Sequence, residues 1–293
     1  MNLSVAAFIN SLQGDSGYAE NTRQAYANDL QCFYYFLTKK LGRDPQTSDL
    51  SSEIVTKYFE FEKNEGLKLS TIHRRRATLK RYSQYLIEHG EIQETLVTKN
   101  LIKSKKNDVV PYKFEVQKIK AKDIEKLLNL IKQSKTARSF RDLAIVNLLL
   151  ETGLSVATLV GINLSDLNFN KMVLRIENIQ RQENYYNISQ SEKSIQHYLK
   201  LGRADLTQIS SEKAIFVSQL GKRITRQGVW QILRNWGKEA GLSVPLSPRH
   251  IRHTAAQRML DQGKSINEIQ RLLGHRNQLS TRFLVRRLKT TNK

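Results

Sequence analysis

Between Leu96 and Tyr112 the helical spacing of apolar residues that runs through the first 95 positions gives way to "LVTKNLIKSKKNDVVPY", a lysine-rich stretch stopped by Pro111. A break of that kind divides a chain of 293 residues into two units, each long enough to bury a core of its own. The expected organisation is a helical domain at 1–97, a linker at 98–112 and a second domain at 113–293.

In the first domain, "NTRQAYANDLQCFYYFLTKKLG" places Ala25, Leu30, Phe33, Phe36 and Leu37 near helical spacing, with Asn21 or Thr22 as N-cap and Gly42 as the stop. A later helix, "STIHRRRATLKRYSQYLIEHG", is expected to start at the cap Ser70 and end at Gly90, with Ile72, Leu79, Tyr82 and Leu86 as its apolar stripe. Its other side carries Arg74, Arg75, Arg76, Lys80 and Arg81 with no acid between them. That array suits a phosphate backbone, and it also suits a solvated basic face. The opening "MNLSVAAFINSLQ" has no basic segment or cleavage site and reads as a first amphipathic helix, not a signal peptide.

In the second domain, "KAKDIEKLLNLI" predicts a helix, and the near-continuous apolar run of "SFRDLAIVNLLLETGLSVATLVGI" predicts a buried one. Alternation at Val173, Arg175 and Glu177, and again at Tyr185, Tyr186 and Ile188, predicts a short hairpin. Helices return in "TRQGVWQILRNWGKEAGL", "SPRHIRHTAAQRMLDQG" and "SINEIQRLLGH", the last with a Ser265/Glu268 capping box and Gly274 as its stop. The fold class is therefore mainly α, with a small β-sheet in the C-terminal domain.

Charge narrows the partners. Lys and Arg number 48 against 27 Asp and Glu, a net +21, and such an excess is neutralised by a polyanion with release of counterions. Residues 249–293 alone hold 11 Lys/Arg against two acids, Asp261 and Glu268. Nucleic acid is the leading expected partner, with a generic basic surface as the alternative. No apolar run approaches the ~18–20 residues that cross a bilayer, so no membrane partner is expected. The single cysteine, Cys32, excludes an intrachain disulfide and a cysteine-built zinc site. No metal or cofactor is expected, and a reducing cytoplasm, in association with the nucleoid, is the natural compartment.

The order of "LLLETGLSVATLVGINLSDL", a hairpin, "ITRQGVW", "LSPRHIRHTAAQRMLDQG" and "LLGHRNQLSTRFL" resembles the catalytic domain of tyrosine recombinases, the Xer and phage-integrase family. Likewise "NTRQAYANDLQCFYYFL" and "STIHRRRATLKRYSQYL" resemble that family's helical, SAM-like core-binding domain. The resemblance implies a two-domain clamp on DNA and strand cleavage by a tyrosine through a 3′-phosphotyrosyl intermediate. The phosphoryl transfer uses no metal: two arginines hold the nonbridging oxygens, histidines add hydrogen bonds, and a hairpin lysine protonates the leaving oxygen.

Several of these roles meet the wrong residue. The first arginine belongs to a "TGLR" motif that here reads "TGLS", with Ser155 in its place. The hairpin lysine falls on Ile179, with Arg181 two residues on and too basic for a good general acid. Arg249 replaces the histidine of H-x-x-R, Arg252 keeps its arginine, and His250 lies on another helical face. His275 retains the histidine of "LLGH". The nucleophile position is Leu284 or, with one inserted residue, Val285, and the last tyrosine anywhere in the chain is Tyr198. Tyr185 and Tyr186 are poor substitutes on the hairpin.

The expectation is a recombinase-like protein that binds DNA without cleaving or joining it, as a site-binding regulatory or architectural factor. Arg226 and Gln227 of "ITRQGVW" are expected at base edges, Arg249, Arg252 and His275 at a phosphate, and Trp230 and Trp236 in the core. A DNA-directed dimer or a partner recombinase fits this reading. Two alternatives stay open: a divergent, active site-specific recombinase whose nucleophile is unrecognised or comes from a partner subunit, and an unrelated helix-turn-helix regulator built on Thr225–Gly241 or Ile251–His275.

Overall fold

The computed structural model describes residues 3–13, 18, 20–98, 118–177, 182–207, 212–275 and 277–290. It divides into two compact units, Met1–Tyr112 and Lys113–Lys293. Of the expected linker only Thr98 is among the described residues. No described helix is long and apolar enough to cross a membrane.

The first unit is built from α1 (Leu3–Ser11), α2 (Glu20–Leu41), α3 (Ser52–Asn64) and α4 (Leu69–Glu88). The apolar stripe expected of α4 is buried: Ile72, Leu79, Tyr82 and Leu86 are each no more than 3% exposed. They pack with Phe8, Leu30, Phe33, Leu37, Val55 and Tyr58 in one core. Two helix starts differ from expectation. Helix α2 begins at Glu20, ahead of Asn21 and Thr22, with a first-turn carboxylate suited to the helix dipole and paired with Arg23. Helix α4 begins at Leu69, one residue before Ser70, because the Lys68 carbonyl already accepts from the N–H groups of Thr71 and Ile72.

The second unit follows as α5 (Ala121–Ser134), α6 (Ala137–Thr152), α7 (Val156–Gly161), β1 (Leu167–Asn168), β2 (Val173–Glu177), β3 (Glu183–Asn187), α8 (Glu192–His197), a π-helical stretch at Tyr198–Gly202, α9 (Arg203–Leu206), α10 (Arg226–Glu239), α11 (Pro248–Asp261), α12 (Ile266–Leu273) and α13 (Gln278–Thr290). Helix α6 is the buried axis of the unit, with Ala144, Ile145, Val146 and Leu148 fully enclosed. The long apolar run is two helices, not one. Gly153 takes a left-handed conformation (φ +65°) and its N–H closes on the Leu149 carbonyl, ending α6. Ser155 then starts α7.

The sheet is antiparallel in the order β1-β2-β3. The expected hairpin is β2–β3, registered from Val173↔Asn187 to Glu177↔Glu183. Strand β1 has two residues, too few to show a period in sequence. Buried Tyr186 donates to the Leu272 carbonyl (3.1 Å), tying the sheet to the end of α12. The capping box of α12 is present, and Gly274 ends that helix at φ +65°. Ala256, Met259, Ile269, Leu273, Val285 and Leu288 form a second small core that fastens α13 to α11 and α12.

Candidate nucleic-acid interface

Ser247 caps α11 and Pro248 occupies its first turn, where a missing N–H costs nothing. Arg249 and Arg252 therefore emerge at the helix N-terminus, where dipole and unsatisfied N–H groups favour an anion. Beside them lies a cavity of about 600 Å³. Its walls come from the α6–α7 break (Ser155), the start of α10 (Arg226, Trp230), α11 (Arg249, Arg252, His253), His275, and α13 (Phe283, Leu284, Arg287). Ser155, Arg249, Arg252, His275 and Leu284, far apart in sequence, thus surround one cavity that no Asp or Glu lines among the described residues. Ile179 and Arg181 lie outside the described residues. Of the two candidate nucleophile positions, Leu284 lines the cavity and Val285 is 4% exposed in the small core. A second groove of about 1190 Å³ shares Ser155, Arg252 and His275 and runs along the sheet past Arg175 and Asn184.

Each side chain is held by a specific partner. Arg252 donates to the Gly153 carbonyl (2.9 Å) and to the Leu273 carbonyl. Both carbonyls belong to helix C-termini, whose unsatisfied oxygens and dipole suit a cation, and burial pulls the guanidinium pKa below its usual value. Ser155 is engaged within its own turn, where its hydroxyl accepts from the Thr158 N–H (3.0 Å) and meets the Thr158 hydroxyl at 2.8 Å. The His275 ring is oriented by Nδ1 against the buried Thr281 hydroxyl (2.8 Å), and burial, then the charge of Arg252, lowers its pKa. His250 turns its Nδ1 to the Pro245 carbonyl and does not line the cavity.

His253, one turn after Arg249 on α11, was not singled out by sequence reasoning. It is 9% exposed, and its Nδ1 has no hydrogen-bond partner among the described residues. Burial first, then Arg249, His250, Arg252 and Arg287, press its pKa down to about 4. A free imidazole titrates near ~6.5, so between those values the unfolded chain holds a proton that the folded chain lacks. Stability should fall as pH drops from ~6.5 towards 4, by on the order of 3 kcal/mol at completion. Urea titrations at pH 7.5, 5.5 and 4.5 should show His253→Gln with a shallower acid loss than wild type. Parallel losses would remove His253 as the cause. Phe283 and Arg287 were missed as well, although their i, i+4 spacing on one face of α13 was readable.

The basic face expected on α4 is partly engaged within the unit, and Arg75 is the member drawn inside. Arg75 is ion-paired with Glu62, lies 3.6 Å from Asp29 and donates to the Tyr58 hydroxyl (3.1 Å). Arg74 pairs with Asp29, which also accepts from Thr78 (2.8 Å). The two acids sit on α2 and α3, so a count along α4 could not find them. Arg76 donates to the Thr98 carbonyl (3.2 Å), Arg81 stands 3.9 Å from Glu88, and Lys80 is exposed. Gln227 is exposed in the first turn of α10. The tryptophans divide: Trp236 is half-buried and donates to Asp142 (2.8 Å), whereas Trp230 is 41% exposed at the cavity with the Arg234 guanidinium 5.2 Å from its ring. Tyr185 is exposed and donates to Glu183.

Residues 117–289 match the phage integrase family and residues 5–90 match the phage integrase N-terminal SAM-like domain; the chain belongs to the phage integrase family. It is 29% identical to tyrosine recombinase XerC of Herpetosiphon aurantiacus, with 97% of this chain and 90% of the relative covered. It is 30% identical to XerC of Roseiflexus castenholzii (97% and 88% covered) and 27% identical to XerD of Listeria monocytogenes (97% and 93%). The fold is shared with XerH site-specific recombinase bound to palindromic difH substrate, at TM-score 0.73 and 16% identity over 99% of this chain and 83% of that one. It is shared also with a lambda integrase dimer bound to a COC′ core site, at TM-score 0.68 and 16% identity over 96% and 93%.

Proposed function

We propose that this protein is a DNA-binding member of the integrase family that occupies its site without cleaving it, acting on the cytoplasmic nucleoid as a regulatory or architectural factor. The observation that carries this reading is the wall contributed by α13: Phe283 and Leu284 face the cavity, and no tyrosine follows Tyr198 in the chain. Tyr198 is itself fully buried, with its hydroxyl accepting from the Val217 N–H, so it has no route to a phosphate. Ser155 supplies no positive charge where a transition-state donor is needed, and loss of one such donor typically costs ~10²–10³ in rate. Loss of the nucleophile removes the mechanism.

Binding itself needs only groups that hold a phosphate. Arg226, Arg249, Arg252 and His275 around the cavity, with Gln227 in the first turn of α10, form a set suited to phosphate and base contacts. Within the first unit, Lys80 and Arg81 of α4 are a separate pair of cations for phosphate contact. The relatives are named recombinases, and the structures of similar fold include DNA-bound and dimeric ones, which supports duplex DNA and a DNA-directed dimer or partner recombinase as partners.

A nicked suicide duplex tests the reading. Incubation with the protein should give a gel shift and no covalent adduct on denaturing electrophoresis, alone or with an active recombinase partner whose own adduct is resolved by mass. An adduct on this chain would overturn the proposal.

A further inference from the structure

The cavity is built for more than a phosphodiester. Four arginines, at 226, 249, 252 and 287, line it, with no carboxylate among the described residues of its wall. One internal phosphodiester brings a single negative charge, whereas a phosphomonoester brings close to two at neutral pH. The cavity's size, about 600 Å³, also falls in the ~300–1,000 Å³ range of small-molecule sites and exceeds what a lone phosphate fills.

The remaining walls are aromatic. Phe283 is 59% exposed and Trp230 41% exposed, both at this cavity, and the guanidinium of Arg234 stacks on the Trp230 ring. Exposed aromatic rings beside arginines are the combination that receives unstacked bases. Bases inside an intact duplex are stacked on each other and cannot reach such rings. A nucleotide at the end of a strand can.

We infer that the cavity takes a nucleotide bearing a terminal phosphate, its phosphate among the arginines and its base against Phe283 and Trp230. This deepens the non-cleaving reading: a member that cannot cut would use the old cavity to hold a strand end.

Calorimetric titration of the full chain with deoxyadenosine 5′-monophosphate, deoxyadenosine 3′-monophosphate and inorganic phosphate tests it. At least one nucleotide should bind about tenfold or more tightly than phosphate, the effect expected of one stacked base. Because Phe283 is exposed, Phe283→Ala should leave the melting curve unchanged. It should bring the nucleotide to within about threefold of phosphate and leave phosphate itself unaffected. Arg249→Ala should weaken nucleotide and phosphate together. Equal affinity for nucleotide and phosphate in the wild type, no binding of either, or no effect of Phe283→Ala would each overturn the inference. A gel shift on duplex with hydroxyl ends reads the function proposed above separately: a protein that shifts this duplex but ignores the nucleotides keeps that function and loses this site.

Discussion

Replacing Arg75 with alanine is expected to destabilise the N-terminal unit by about 3–5 kcal/mol, because it strands buried carboxylates. Asp29 is 3% exposed and Glu62 1% exposed, and Arg75 reaches both from α4. Glu62 depends on it most: its second carboxylate oxygen has no partner among the described residues. Asp29 retains Thr78 and Arg74 after the change. Arg74→Ala, at a side chain 46% exposed, should therefore cost no more than about 1 kcal/mol. Urea denaturation of the two variants side by side measures the difference, and equal midpoints would refute the assignment of Arg75 to the interior. The same experiment guards against a misreading, since weaker DNA binding by Arg75→Ala would follow from unfolding and not from a lost phosphate contact.

Gly153→Ala should destabilise the second unit by about 2–4 kcal/mol. Part of this is backbone: at φ +65° a side chain adds roughly 1 kcal/mol of strain. The rest is crowding. An added Cβ would stand 2.8 Å from Leu273 Cδ2, 3.3 Å from Ala255 Cβ and 3.4 Å from Met259 Cε, and overpacking of this kind costs about 1–3 kcal/mol. Gly42 has the same φ with nothing within 4 Å of the added carbon, so Gly42→Ala should show only the backbone part. Thermal melts of both variants separate the two contributions. If they drop equally, the contact of the α6–α7 break with α11 and α12 is looser than these distances require. Because the Gly153 carbonyl also holds Arg252, the Gly153 variant should lose DNA affinity while still folded at low temperature, and the Gly42 variant should not.

Much of the fold was legible because local chemistry and tertiary demand agree. The α4 stripe, the Ser265/Glu268 box and the β2–β3 alternation each need only a window of a few residues. What escaped the sequence depends on more than one element. The apolar run through α6 and α7 hides its break, since a single glycine in a helix-forming stretch is ordinary until Leu273 is seen packed against it. Arg75 read as surface because the acids that hold it belong to other helices. The choice between Leu284 and Val285 turned on one inserted residue, and a step of one residue rotates a helix by about 100°, enough to exchange cavity wall for core. His253 was hidden because a histidine next to Arg252 on a basic helix gives no sign that it points inward.

Ser155 bears on how such a cavity changes over generations. Its hydroxyl starts α7, a helix of six residues, and replacing a capping serine by a residue that cannot cap costs about 1 kcal/mol. An arginine introduced at position 155 would forfeit that start before any benefit of charge could return. Replacement of this cap by a residue that cannot cap is locally uphill whatever charge it brings. One hydroxyl thus acts as a ratchet tooth, holding the cavity in its present chemistry unless several substitutions arrive together.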